Sequence, residues 1–249
     1  MKAVILAAGR GSRLGSLTKS KPKGMNKVCD VTLLEWQHST LRSAGVDEIV
    51  VITGYLSKVI ERKGYKTIFN PYWHRANMVS SIMIALENID TPFIISYSDI
   101  IYNNSIVEDL IKSDSELSVA YDKKWLKLWE MRFDEPLLDA ESFTLDSKGN
   151  ISEIGNKVNN VEEIEGQFMG LLKINNKAKD LIMNIINQDS SKFYNLDTTK
   201  LINELINSGL SIGAVANKDG WCEIDSPMDL QIAEILIKDG IIKMPHNIL

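Results

Sequence analysis

A short apolar run, Ala3 to Leu6, breaks directly into Gly9-Arg-Gly11, and that junction constrains the fold more than any other stretch of the chain. Such a run, bounded by glycines, reads as a buried strand. Two glycines spaced by one residue let the backbone turn tightly, so its N–H groups can approach an anion closely. Arg13, Lys21 and Lys23 add positive charge to the same loop. Strand, glycine loop and converging cations together describe a site for a polyphosphate.

Two familiar phosphate loops do not match. A P-loop needs G-x-x-x-x-G-K-[ST], which does not occur here. A dinucleotide fingerprint needs a third glycine where the chain has Leu14, and an acidic residue about 20 positions on in a βαβ context. The full pattern is Leu6-Ala7-Ala8-Gly9-x-Gly11-x-Arg13, with Pro22-Lys23 downstream. It resembles the signature of the nucleotidyltransferases that make CDP-, UDP- and dTDP-activated metabolites from a nucleoside triphosphate and a phosphorylated acceptor. The resemblance implies a nucleotide cradled by Leu6, Ala7, Ala8, Gly9, Gly11 and Ser12. It implies that Arg13 meets the leaving β- and γ-phosphates and that Lys23 meets the α-phosphate and acceptor. Many members of the family carry proline near position 16, where this chain has Ser16, a change in loop stiffness rather than chemistry.

The rest of the chain fits one α/β domain over 1–249. Apolar β-branched runs at Lys2–Leu6, Glu48–Thr53, Thr67–Asn70, Phe93–Ser96 and Leu117–Tyr121 alternate with helical spacing at Leu33–Ala44, Leu56–Arg62, Asn77–Glu87 and Ser105–Lys112. That alternation predicts a Rossmann-like, mostly parallel mixed sheet flanked by helices, with ligands outside the carboxyl ends of the strands. Residues 122–149 break the rhythm. Strands at Ile151–Ile154 and Gln167–Ile174, helices at Asn176–Asn187 and Thr198–Asn207, and a strand at Ser211–Ala216 follow. The segment from about 122 to 170 reads as an acceptor-binding insertion.

The net charge of −5 and the lack of a long lysine or arginine block exclude tracking of a nucleic-acid backbone. No stretch approaches a membrane span, and the N-terminal apolar run is too short for a signal peptide. Cys29 and Cys222 form no Cys-x-x-Cys pair, which fits a reducing, cytoplasmic setting. The expected assembly is a monomer or a homodimer.

Asp99 lies just past an apolar strand in Ser-Tyr-Ser-Asp, and Asp225 just past another in Trp-Cys-Glu-Ile-Asp. Two aspartates on one rim suit Mg²⁺, which takes one or two carboxylates plus substrate phosphates. Ser226 is a good N-cap, Pro227 fits the first helical turn, and Asp229 completes the cap, so Asp225 carries no capping duty. The family resemblance makes Asp99 and Asp225 the metal ligands. Glu223, pointing the same way along its strand, is a further ligand or an acceptor contact. His38 reads as a helix residue among polar neighbours and His246 as part of the tail, while His74 has no partner at metal-ligand spacing.

After the third strand, the sugar-nucleotide branch carries Q-x-x-P-x-G-T-A. This chain instead has Asn70, Asn77, Ser80 and Ser81, similar to the CTP-using branch that contains phosphocholine cytidylyltransferases. Asn77 offers an amide to a pyrimidine edge or caps the next helix, and Ser80 or Ser81 offers a hydroxyl. In the insertion, Trp125, Leu128, Trp129 and Arg132 share a helical face. Such a stripe either packs in the core or, beside acidic groups, cradles an ammonium. Asp122 and Arg132 would suit a zwitterionic acceptor, and Lys157 and Gln167 fall where the family closes its acceptor pocket. The resemblance therefore implies CTP and a small phosphorylated amine, amino acid or phosphonate as partners, used in surface-polysaccharide decoration. The rival is a sugar-1-phosphate uridylyl- or thymidylyltransferase.

Overall fold

The structure, a computed structural model, describes residues 1–245, and His246 lies outside the described residues. Strand β1 (Lys2–Ala7) enters the glycine loop, and a small hairpin of β2 (Lys27–Val28) and β3 (Val31–Thr32) delivers helix α1 (Leu33–Ser43). The alternation continues through β4 (Glu48–Thr53), α2 (Ser57–Glu61), β5 (Thr67–Phe69), α3 (Met78–Asn88), β6 (Phe93–Tyr97), β7 (Ile100–Tyr102), α4 (Asn104–Lys112) and β8 (Leu117–Asp122). Helix α5 (Trp125–Arg132) and the hairpin β9 (Glu141–Leu145) and β10 (Ile151–Lys157) occupy the middle segment. The chain then runs through β11 (Gln167–Ile174), α6 (Asn176–Gln188), α7 (Ser191–Asn195), α8 (Thr198–Asn207), β12 (Ile212–Asn217), β13 (Trp221–Glu223) and α9 (Pro227–Lys238).

Seven strands form the main sheet in the order β12-β8-β11-β6-β1-β4-β5. All neighbours are parallel except β11, which runs antiparallel to both β6 and β8. This reversal brings the first residue of β11, Gln167, to the rim where the other strands end, opposite Asp122. The sheet is therefore mixed but mostly parallel, as the strand-helix alternation predicts.

Side chains of β1 divide by the strand period of two. Ala3, Ile5 and Ala7 face one core, which α1, α4, α5 and α9 cover with Trp36, Val107, Trp129 and Ile232. Val4 and Leu6 face the other, which α3, α6 and α8 cover with Ile82, Ile182 and Leu201. Burial on both faces explains why these strands read as continuous apolar runs. Among the described residues no helix is long and apolar enough to cross a membrane.

One buried polar chain fixes the strand that carries Asp99. Gln37 on α1, fully buried, donates to the Ile100 carbonyl at 2.8 Å and accepts from Ser96 Oγ at 2.9 Å. Ser96 Oγ in turn lies 3.0 Å from the Tyr102 hydroxyl. Satisfied networks of this kind are rigid, because breaking one bond strands a buried polar group. The β6–β7 turn is thus held from beneath by α1.

Candidate active site

Gly11 takes the left-handed conformation, φ 70° and ψ 50°, and the chain then winds into a tight turn over Ser12–Thr18. Thr18 Oγ1, fully buried, reaches back to the carbonyls of Gly11 at 3.2 Å and Gly15 at 3.3 Å. Lys23 follows Pro22 in a second tight turn, and Asn26 clamps its carbonyl with both its backbone and side-chain amides. The Lys23 side chain lies across Gly11, where an added Cβ would sit 2.8 Å from Lys23 Cβ and Cδ. Gly11→Ala is expected to displace Lys23 and lower turnover by about tenfold or more, with a stability loss of about 1 kcal/mol from the strained φ. Steady-state rates and urea unfolding check both.

Lys23 spans the two aspartates. Its ammonium donates to Asp99 Oδ2 at 2.6 Å and makes a short bond to Asp225 Oδ1. Arg13, largely exposed, reaches Asp225 Oδ2 at 2.9 Å. The two aspartates are far apart in sequence, and a two-strand ribbon above the rim brings them together. β13 pairs antiparallel with β7, so that Glu223 stands opposite Ile100, and the Ile224 amide donates to the Asp99 carbonyl at 2.8 Å. Asp99, Glu223 and Asp225 then present carboxylate oxygens within 4.8 Å of one another.

The electrostatics follow from that crowding. Burial and the charges of Asp225 and Asp99 push the Glu223 carboxyl up to about 7, despite Arg132 and Lys23 nearby. Burial pulls the Lys23 ammonium down, but Asp99, Asp225 and Glu223 together outweigh it, and the net shift is upward. Among the described residues, the buried Asp99 Oδ1 accepts no hydrogen bond. Three converging carboxylates, one with an orphaned oxygen, form a hard-oxygen donor set of the kind that suits Mg²⁺.

Next to the cluster lies a cavity of 190 Å³, walled in part by Arg13, Trp129, Asp139, Glu141, Gln167 and Thr199. Glu223 and Asp225 form its floor on the side of the cluster. Gln167 holds Glu141 in place, accepting from its amide at 3.2 Å and donating to its carbonyl. Trp129 Nε1 donates to Asp139 Oδ2 at 3.1 Å. Burial raises the carboxyl groups of both Asp139 and Glu141 above their ordinary range.

Several expected acceptor contacts are corrected here. Trp125 is 3% exposed, and its Nε1 donates to the Ile164 carbonyl, so it packs in the core and does not reach the cavity. Asp122 turns to the other side of α5, where it accepts from Trp221 Nε1 at 2.9 Å and the Lys124 amide at 2.8 Å. Arg132 is buried among carboxylates rather than open to a ligand. Lys157 is exposed at the end of β10, opposite Glu141, and does not line the cavity. Trp129, Gln167 and Glu223 do line it.

In the region expected to hold the base, Asn77 is exposed and caps α3, accepting from the Met78 amide at 2.8 Å. Ser81 is corrected too: it is buried, and its hydroxyl and that of Ser80 each accept from Asn70 Nδ2 at 3.0 Å. Ser81 thus secures the loop after β5 instead of facing a ligand. Leu6, Ala7 and Ala8 are buried at the end of β1, while Gly9 and Ser12 are exposed beyond it. Asp139, Glu141 and Thr199 were not foreseen, nor was the bond from Arg132 to Asp229. The first two sit in a stretch without periodicity, where only the density of acidic residues could have drawn notice.

Comparison with known proteins identifies the family and the fold. The sequence profile of the MobA-like NTP transferase domain matches residues 3–138. Over 250 aligned positions the chain is 36% identical to the CTP:phosphoglutamine cytidylyltransferase of Campylobacter jejuni, with 93% of this chain and 98% of that protein covered. A choline-phosphate cytidylyltransferase of Streptococcus pneumoniae is 32% identical over 117 residues, 45% of this chain and 51% of that one. Among solved structures, the inositol-1-phosphate CTP transferase from T. maritima superposes with a TM-score of 0.75 over 97% of this chain and 98% of its own. Its sequence identity is 21%, so that likeness is one of fold.

Proposed function

The chain belongs to the family of MobA-like NTP transferase domains and is a nucleotidyltransferase, and from that premise we propose that it transfers CMP from CTP to a small phosphorylated or phosphonate acceptor bearing an amino group. Pyrophosphate is the second product. The acidic cavity beside the metal-type cluster carries this reading. Asp139, Glu141, Glu223 and Asp225 line it, against the single cation of Arg13. With Glu223 and Asp225 given to the cation, Asp139 and Glu141 remain on the wall, and two carboxylates in a small cavity favour a ligand whose far end is positive. The acceptors in the names of the two sequence relatives, phosphoglutamine and choline phosphate, are both phosphorylated and nitrogen-bearing.

The attacking oxygen of such an acceptor is already ionised at neutral pH, since a phosphate monoester has a second pKa of about 6. No general base is required, and among the described residues no histidine lines the cavity. Catalysis then rests on positioning and on charge stabilisation. We propose Mg²⁺ as the cation held by Asp99, Asp225 and Glu223, where it would neutralise charge on the α-phosphate as pyrophosphate leaves. The backbone of the glycine loop orients the triphosphate, Arg13 meets its leaving end, and Lys23 meets the phosphorus under attack.

Pyrophosphate release tests the reading, with CTP, UTP, dTTP and ATP each paired with phosphocholine, 2-aminoethylphosphonate, L-glutamine phosphate and glucose-1-phosphate. Turnover with CTP and a nitrogen-bearing acceptor is expected. Turnover with glucose-1-phosphate alone would overturn it. Glu141→Gln is then expected to raise the acceptor KM by about tenfold to a hundredfold, the worth of one charged hydrogen bond. The KM for CTP should not move.

A further inference from the structure

We infer that Arg132 is a positioning residue for the metal-binding carboxylates, and that through it α5 couples their alignment to the wall of the acceptor cavity. The inference rests on the cation reading of Asp99, Glu223 and Asp225. The Arg132 side chain is 1% exposed, so it cannot act by touching a ligand in the cavity. Its Nε donates to Asp229 Oδ1 at 2.9 Å and its Nη1 to Glu223 Oε2 at 3.1 Å. Nη2 lies 3.8 Å from Asp225 Oδ2. The guanidinium also lies over the rings of Trp129, at 5.2 Å, and Phe133, at 5.0 Å, which limits how far the fork can turn.

Asp229 turns this fork into a clamp. One of its oxygens takes Arg132, while the other accepts from the Asp225 amide at 2.8 Å, the Ser226 amide at 2.7 Å and Ser226 Oγ at 3.0 Å. The carboxylate that caps α9 therefore also sets the backbone of Asp225. Arg132 takes Oε2 of Glu223, whose carboxylate is also a member of the cluster. A single rigid plane thus fixes the spacing between Glu223 and the Asp225 segment.

Lysine cannot replace such a group, because one ammonium has no fixed angle between its donors. Without the fork, Glu223 would turn away from two like charges less than 5 Å off. Trp129, one helical turn before Arg132, holds Asp139 at the cavity wall. The same turn of α5 therefore serves both the carboxylates and the acceptor.

Arg132→Lys tests the inference by Mn²⁺ binding followed by electron paramagnetic resonance without nucleotide, alongside kinetics and thermal unfolding. About tenfold weaker Mn²⁺ binding is expected, with turnover restored by excess Mg²⁺ and the KM for CTP unchanged at saturating metal. Arg132→Gln should show the same pattern and serves if Arg132→Lys does not fold. Adding Glu223→Gln to Arg132→Lys should weaken Mn²⁺ binding little further, because the two act in series. Unchanged Mn²⁺ affinity with a raised acceptor KM would overturn the positioning role. If Asp225→Asn itself leaves Mn²⁺ binding intact, the cation reading falls and takes this inference with it. If Asp225→Asn abolishes binding and Arg132→Lys leaves it unchanged, only the role of Arg132 falls.

Discussion

Lys23→Met is expected to lower turnover by about 10³-fold or more while leaving affinity for a divalent cation intact or tighter. The ammonium is held by Asp99 and Asp225, and its side chain is only 9% exposed. On the proposed reading it stands where the phosphate under attack would meet the cluster. Methionine fills nearly the same space without charge or donor, so the transition state loses a cation while the loop keeps its packing. Removing one partner of a buried ion pair destabilises by about 3–5 kcal/mol, because the charges left behind face one another. Here those charges are carboxylates, which the proposed divalent cation would relieve. The variant should thus unfold at lower temperature without metal and recover much of the loss with Mg²⁺. A single-turnover rate beside an Mn²⁺ titration separates the two effects. An unchanged rate would remove Lys23 from the chemistry.

The elements best read from the sequence are those with strong periodicity and buried faces. β4 and β11 have the expected bounds, and the Ser226–Asp229 capping box starts α9 where the residues predict it. Lys23 contacts both Asp99 and Asp225, pairings that the glycine-loop motif does not itself encode. The insertion was harder for a physical reason. Helical spacing puts Trp125, Trp129 and Arg132 on one face but cannot say what packs opposite, and the partners come from Ile164, Asp139 and Glu223. β7 and β13 have three residues each, too few to show a period, yet their pairing assembles the cluster. Asp229 was legible as a cap. Its second bond, to Arg132, lies 97 residues away in sequence, and no local pattern encodes it.

Asp225→Asn is expected to abolish both turnover and the stabilisation that a divalent cation confers, and this pairing distinguishes it from Lys23→Met. Asp225 accepts from Lys23 and Arg13 and lies near Arg132. Lys23 keeps Asp99, and Arg132 keeps Glu223 and Asp229, so no buried cation is left alone when the charge of Asp225 is removed. The metal-free variant should therefore unfold close to wild type. A cation at about 100 times its Kd stabilises a folded protein by about 2.7 kcal/mol, a shift that thermal unfolding reads easily. Wild type should show that shift with Mg²⁺, and Asp225→Asn should lose most of it, since an amide is a poorer ligand for a hard cation. Lys23→Met should keep the shift and lose only the rate. If both variants keep it, the cation binds elsewhere. If both lose it, Lys23 and Asp225 act as one unit in holding the cluster together, and the separate roles given to them here are wrong.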